Sequence, residues 1–357
     1  MQAHQTDSSP IVGIIANPVS ARDIRRIIAN ASNLQTSERV NIVLRVLGAL
    51  AASGVRRVLM MPDKSGIRAM LLRRLRQNGQ QQYFPTVEFI DMLVTGSVDD
   101  TFLATRYMQK AGVKAIVVLG GDGTHRAVVR ELIRGVSQGV ASVPIAGLST
   151  GTNNTYPEMR EPTITALAVG LYATGRLDAA QALVQNKVLE VAVDGEPRDI
   201  AIVDAVISSD RIIGTRALWK PDSLDAVYLS FADPQAIGLS AIGGLLQPVT
   251  RTEPDGLAIR LAHPGVLPQF RLNVPLAPGM MSQVGIADWK RMPADRQFAV
   301  PRQAGAVALD GERDFTFDAD QQISITLRTG AFSSINVSRC MLTAAREGLY
   351  RDSSPHP

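Results

Sequence analysis

Ala115-Ile116-Val117-Val118-Leu119-Gly120-Gly121-Asp122-Gly123-Thr124 is the stretch that decides the fold. Its first five residues are apolar and rich in β-branched side chains, which reads as a strand buried on both faces. A glycine turn follows and opens into a segment with helical spacing, which makes half of a parallel crossover unit. In an open parallel sheet, ligands sit beyond the carboxyl ends of the strands. Glycines at such a place let the backbone approach phosphate oxygens with no Cβ in the way, and the free N–H groups of a helix start favour anions. Gly120, Gly121, Gly123 and Thr124 are therefore candidate phosphate contacts. A carboxylate in the same turn repels phosphate unless it has another task. Asp122 is the candidate for holding Mg²⁺, or for accepting a proton from an attacking hydroxyl. The plainer alternative is an Asp that caps the helix.

Outward from this turn, Ile11–Ala16, Arg57–Met61, Thr86–Met92 and Val143–Gly147 repeat the short Val- and Ile-rich pattern. The segments between them carry apolar residues at helical spacing, as Ile67, Met70, Leu71 and Leu75 do. The first connection is long and holds two predicted helices, over about 21–31 and 37–52, with Ser37 as N-cap of the second. Arg73, Arg74 and Arg76 interleave with an apolar stripe and read as a solvated helix face, the alternative being an anion patch. After Gly147 the texture changes. A helical stretch over about 163–185 leads into short β-like runs: Lys187–Val193, Ile200–Ser208, Ala226–Phe231, Leu257–Ala262, Phe270–Val274, Gln283–Ile286, Ala306–Leu309 and Gln322–Leu327. Gly and Pro punctuate them, which is the pattern of an antiparallel sandwich, and a last helix is predicted over about 339–349. The expected architecture is α/β, an N-terminal doubly wound parallel sheet followed by an all-β sandwich-like domain. It divides into a disordered tail at 1–9, a nucleotide-binding domain at 10–155, a mainly β domain at 156–338, and a C-terminal helix and tail at 339–357.

Composition narrows the function. The 357 residues are 45% apolar and 20% charged with a formal charge of +4, too mild a balance for a nucleic-acid binder, whose basic residues would also cluster. The single cysteine, Cys340, excludes an intrachain disulfide and a cysteine-based metal site. None of His4, His125, His263 and His356 has a ligand partner at helical spacing, which argues against zinc. No signal-peptide pattern is read, and the longest nearly apolar stretch, 236–246, is too short to span a bilayer. The expectation is a cytoplasmic protein that binds neither nucleic acid nor membrane.

Two further polar loops fall at the same sheet edge as the glycine turn. Asn17-Pro18-Val19-Ser20 follows the first strand, and the run from Gly147 to Thr155 follows the fifth. The second packs hydroxyls, amides and glycines together, an environment for phosphate and ribose oxygens. Asn17, Thr150, Gly151, Thr152, Asn153 and Asn154 are the candidates there. His125 reads as a solvent-facing residue of the first helical turn, with a phosphate contact as the alternative. Trp219 and Trp289 read as core packing rather than base stacking, and 236–246 as core rather than the edge of a pocket.

The Gly-Gly-Asp-Gly-Thr run at 120–124, together with Asn17-Pro18 after the first strand, resembles the superfamily of NAD kinases, diacylglycerol kinases and sphingosine kinases. The nearer resemblance is to its ATP-NAD-kinase-like branch, which holds the acetoin-catabolism X proteins. It rests on Asn17 to Arg26, Val58 to Asp63, Ser149 to Asn154, Val203 to Val206, Gly214 to Trp219 and Leu309 to Arg313, spanning about 11–330. The resemblance implies ATP and Mg²⁺ as the donor system, NAD as one acceptor, and an acceptor hydroxyl in a cleft between domains. It implies that Asp122 acts at that hydroxyl and that Gly120, Gly121 and Gly123 line the nucleotide phosphates. By likeness to the lipid kinases it implies Glu312 as a general base, with a plain hairpin turn at Asp310-Gly311 as the alternative. Asp204 is implied as a nucleotide contact, or else a buried cap. Three departures stand out: Val203 where NAD kinases have Asn, Thr152-Asn153-Asn154 in place of their Leu-Gly-Phe segment, and Arg126 where lipid kinases have Asn. The implied function is an ATP-dependent phosphotransferase associated with acetoin catabolism. The alternatives are a non-catalytic nucleotide-binding regulator, or a kinase of a small diol or a lipid. Relatives of this type also imply a homo-oligomer.

Overall fold

The structure, a computed structural model, describes residues 9–17, 34–77, 83–150, 154–211, 221–263, 265, 267–302 and 304–351, with backbone alone at 221 and 312–314. The predicted helix over 21–31, the tail at 1–8, Pro18-Val19-Ser20, Gln80-Gln81-Gln82, Gly151-Thr152-Asn153 and Gly214–Trp219 lie outside the described residues.

The strands of the first half are β1 (Ile11–Ala16), β2 (Arg57–Met60), β3 (Thr86–Phe89), β4 (Ala115–Gly120) and β5 (Ile145–Ser149). Between and after them lie α1 (Thr36–Ala52), α2 (Ile67–Gln77), α3 (Asp99–Lys110), α4 (Asp122–Ser137) and α5 (Pro162–Ala173). The strands are parallel in the order β3-β2-β1-β4-β5. Along β4, Val117 and Leu119 point to a core shared with α1, α2 and α5, whereas Ile116 and Val118 point to a core shared with α3 and α4. Helices on both faces explain why β4 has no polar position. Ser37 does not cap α1. The helix begins one residue earlier with Gln35 as the flanking residue, because the backbone is already helical at Thr36, and the Ser37 hydroxyl turns to Gln35 Oε1 at 3.5 Å. Arg73, Arg74 and Arg76 stand exposed on α2.

The later chain continues with α6 (Ala179–Ala182), β6 (Leu183–Val193), β7 (Glu196–Ala201), β8 (Asp204–Ser208), β9 (Leu224–Leu229), α7 (Ser240–Leu246) and β10 (Gly256–Leu261). It ends with β11 (Phe270–Ala277), β12 (Met280–Met292), β13 (Gln297–Ala299), β14 (Gly305–Leu309), β15 (Glu312–Phe317), β16 (Ile323–Ile335) and α8 (Val337–Arg346). Seven of these strands form a sheet in the order β11-β12-β10-β9-β8-β14-β15, antiparallel throughout. The remaining ones extend the first sheet: β16 meets β5 through Ser334↔Ile145, β6 pairs antiparallel with β16, and β7 follows β6. The antiparallel sheet packs one face on this extension through Val191, Ile207, Tyr228, Phe317 and Ile325. Its other face carries Ile242 of α7 over Leu229, Leu257 and Val274, so 236–246 contributes to a core. The fold is thus a doubly wound parallel α/β sheet followed by a β-sandwich. Among the described residues no helix is long and apolar enough to cross a membrane.

Candidate functional site

Register brings three loops to one level. Ala16 pairs with Leu119 and Gly120 with Ser149, so the chain leaves β1, β4 and β5 side by side. The winding reverses between β1 and β4, the switch point at which open α/β sheets offer a crevice. Asn17 sits in it: its N–H donates to Leu119 O at 3.3 Å and its Nδ2 to Thr124 Oγ1 at 3.4 Å, while Arg39 Nη1 donates to Asn17 O at 3.4 Å. The glycines are needed by the loops themselves. A Cβ on Gly120 would stand 2.6 Å from Thr124 Cβ, and one on Gly121 would stand 2.7 Å from Asn154 Oδ1. Gly121 is the N-cap of α4, and its carbonyl accepts from the N–H groups of Thr124 and His125. Gly123 is half-buried on that first turn. Thr150 is buried, with its N–H on Gly120 O at 3.4 Å, and Asn154 Nδ2 donates to Ser149 Oγ at 2.8 Å.

Asp122 is half-buried at the first residue of α4, and its carboxylate reaches across the rim. Oδ2 accepts the N–H of Thr155 at 2.9 Å and Oδ1 that of Tyr156 at 2.7 Å. The carbonyls of the same two residues accept from Arg251 Nη2, both at 2.9 Å. The Arg251 guanidinium lies over the rings of Tyr156 and Phe231, 4.9 and 4.4 Å from their centroids. Thr155 Oγ1 meets Ser240 Oγ at 3.0 Å. A stretch of two residues is thereby clamped from both sides. The turn that carries Arg251 is itself held by Lys187, whose Nζ donates to the carbonyls of Thr250, Glu253 and Asp255 at 3.1, 2.8 and 2.7 Å. Burial pulls the Lys187 ammonium down to about 8. Neither Arg251 nor Lys187 carries a local motif, so nothing in the sequence singled them out.

A second group of charges faces Asp122 from the antiparallel sheet. Asp310 and Gly311 form the tight turn between β14 and β15 with φ of 50° and 82°, the left-handed pair that a two-residue hairpin needs. The Asp310 carboxylate folds inward and accepts the N–H groups of Ile202, Val203 and Asp204 at 3.0, 2.8 and 3.1 Å. Its own N–H donates to Asp204 O at 2.9 Å, which fixes the buried Asp204 at the start of β8. Arg126 Nε lies 4.0 Å from Asp310 Oδ2. Burial pushes the Asp310 carboxyl well above the usual carboxylate range; the Arg126 guanidinium opposes this, and the Asp204 and Asp122 carboxylates add to it. These four side chains therefore share one electrostatic field. Glu312 opens β15, and its side chain lies outside the described residues.

His125 is not solvent-facing. It is fully buried on the stripe of α4 that carries Val128, Val129 and Leu132, with Nδ1 2.8 Å from Gly121 O and its ring 5.7 Å from that of Tyr156. Burial pushes the imidazole down to about 4, so the ring is neutral at physiological pH. Trp289 packs edge-on against Phe270 at 5.6 Å. Among the described residues no group of three His, Cys, Asp or Glu side chains could hold a metal ion. Mg²⁺ of the kind carried on substrate phosphates needs no such group.

The parallel sheet, with its reversed winding, its glycine turn and the acidic residue that opens the next helix, lies within the stretch that matches an NAD-kinase domain. Residues 12–176 match the ATP-NAD kinase N-terminal domain, and residues 187–330 match the acetoin catabolism protein X C-terminal domain. Over 354 residues the chain is 58% identical to the acetoin catabolism protein X of Cupriavidus necator, covering 98% of this chain and 96% of that one. The chain belongs to the acetoin catabolism protein X family. Among solved structures, a diacylglycerol kinase from Bacillus anthracis str. Sterne aligns with a TM-score of 0.48 at 13% identity, over 92% of this chain and 96% of that one. Yeast NADH kinase complexed with NADH aligns with a TM-score of 0.46 at 12% identity, over 98% of this chain and 90% of that one.

Proposed function

We propose that the protein moves the terminal phosphoryl group of ATP to a hydroxyl, with NAD as one acceptor, and that it does so in the cytoplasm in connection with acetoin catabolism. The observation that carries this reading is the meeting, at one switch point, of the Gly120–Thr124 turn, Asn17 and Asn154 with the charged group Asp122, Arg126, Asp204 and Asp310. In this reading the first-turn N–H groups of α4 and the glycine backbone cradle the polyphosphate. Asn17, Thr124, Thr150, Gly151, Thr152, Asn153 and Asn154 serve its phosphate and ribose oxygens. Asp122, oriented by Thr155 and Tyr156, accepts the proton of the acceptor hydroxyl. Arg126, beside Asp310, offers positive charge to the oxygens in transfer, and Glu312 stands as an auxiliary base. Mg²⁺ enters as the ATP complex, where it supplies charge neutralisation. Catalysis of this kind is positioning and electrostatics. A homo-oligomer is part of the same proposal.

A second reading has its own support. Both oxygens of Asp122 already accept backbone N–H groups, an arrangement that suits a regulator that binds nucleotide without turning it over. Incubation of the full chain with Mg²⁺, NAD and ATP labelled in its terminal phosphoryl separates the two. Labelled NADP is the expected product, and Asp122→Asn should slow its formation by about 10²–10⁴, the usual weight of a general base. Bound ATP with no transfer to NAD, to a small diol or to a lipid would establish the regulator instead. An Asp122→Asn variant with wild-type turnover would remove Asp122 from the mechanism.

A further inference from the structure

Three neighbouring strands of the antiparallel sheet, β9, β10 and β12, set two rows of side chains on the face that looks to the first sheet. One row is Tyr228–Ala258–Lys290 and the next is Ala226–Arg260–Asp288. An alanine in each row leaves a hollow, and Phe298 of β13, from the facing layer, lines its other side with Pro301. The cavity is about 160 Å³ and shares no residue with the site at the glycine turn. We propose that it is a second binding site, taking a small monocarboxylate with a short apolar body.

Tyr228 supplies the first observation. The residue is 4% exposed and lines the cavity, yet its hydroxyl has no hydrogen-bond partner among the described residues. Burial pushes the phenol up to about 12, so it keeps its proton and stands ready as a donor. A buried tyrosine O–H ordinarily finds an acceptor, and leaving one without is costly. A ligand oxygen in the cavity relieves that cost.

Charge supplies the second. Of the charged side chains on the wall, Arg260 faces Asp288, with Nη2 3.9 Å from Oδ2. Lys290 pairs with no carboxylate among the described residues. Its Nζ lies 5.0 Å from the centroid of the Phe298 ring, and the Arg296 guanidinium lies over the same ring at 5.7 Å, so that side brings no counter-charge. The wall therefore carries one positive charge in excess. Tyr228 and Lys290 flank Ala258 in one row, which places two free donors and that charge together. A carboxylate offers two acceptor oxygens and one negative charge. Ala226, Ala258, Phe298 and Pro301 leave apolar surface for a short alkyl chain, which inorganic phosphate does not have.

Calorimetric titration of the full chain with butyrate, with butyramide and with inorganic phosphate tests this without nucleotide present. One butyrate site is expected, with a dissociation constant of about 1 mM for so small a ligand. Butyramide, which has the shape without the charge, should bind about ten-fold more weakly. Tyr228→Phe should weaken butyrate by about the same factor. Because it removes a hydroxyl that has no partner, it should melt no lower than wild type. Lys290→Met keeps an alkyl chain over Phe298 and removes only the charge, and it should weaken butyrate at least as much. Absence of butyrate binding well above millimolar concentration overturns the proposal, as does butyrate affinity unchanged in both variants. Equal affinity for butyramide, or tighter binding of phosphate, overturns the assignment of a monocarboxylate. A Tyr228→Phe protein that melts below wild type shows the phenol already bonded and overturns the site.

Discussion

Asp122 and His125 stand three residues apart on α4 and meet opposite conditions. The carboxylate looks out over the rim and is held by two N–H groups, whereas the imidazole looks into the sheet and is neutral. The His125 environment predicts a pH dependence of stability. An unfolded chain takes up the imidazole proton near 6.5 and the folded one near 4, so between those values the unfolded chain binds more protons. Stability should be complete above about pH 6.5 and fall as pH drops towards 4, by on the order of 3 kcal/mol from this group. Urea midpoints across that range should slope less in His125→Gln than in wild type, and equal slopes would contradict the assignment. At this scale the sequence was legible where chemistry is local. A glycine turn with an embedded Asp announces itself, but the partners of Asp122 and Asp310 do not. Thr155 and Tyr156 lie 33 and 34 residues from Asp122, and Ile202 lies 108 from Asp310. His125 was misjudged because one position past a glycine turn does not show which way the helix stripe faces.

Among the elements, the link from β5 to α5 is the one most dependent on distant parts. Asp122 holds its N–H groups, Arg251 its carbonyls, and Lys187 holds the turn that delivers Arg251. Arg251→Met should leave the core intact and loosen this link. Losing two hydrogen bonds of about 1 kcal/mol each should speed amide exchange at Thr155 and Tyr156 by about 10- to 30-fold. Lys187→Met should shift the same amides in the same direction. Unchanged protection in both variants would show that the link is held by something else. The long strand β16 was legible only in its first half. Its run breaks at Gly330, which has φ of 62° in a register shift between Arg328 and Phe332, so the pattern stops where the strand merely bends. The Asp310-Gly311 turn is the hairpin that the sequence offered as an alternative to a catalytic role for Glu312.

For the molecule as a whole, β16 joins the layers. Ile323, Ile325 and Leu327 belong to the core under the antiparallel sheet, Phe332 to the core of α3 and α4, and Ile335 to the core of α1 and α5. Both sheets should therefore lose structure together. Tryptophan fluorescence and far-UV ellipticity are expected to trace one coincident urea transition, and a chain ending at residue 320 should not fold; two separated transitions would show independent units. The change from helix-and-strand alternation to short strands after Gly147 was plain in the sequence. The return of a strand from the end of the chain to the first sheet was not, since neighbours in a sheet leave no mark on a single sequence. The account stands or falls on polyphosphate binding where β1, β4 and β5 end together. Backbone amide spectra of the isotope-labelled full chain titrated with ATP and Mg²⁺ test this most directly. Saturable shifts at Asn17, Gly121, Gly123, Thr124 and Asn154 are the predicted result; silence at those amides with ATP in excess, or shifts confined to the antiparallel sheet, would contradict it.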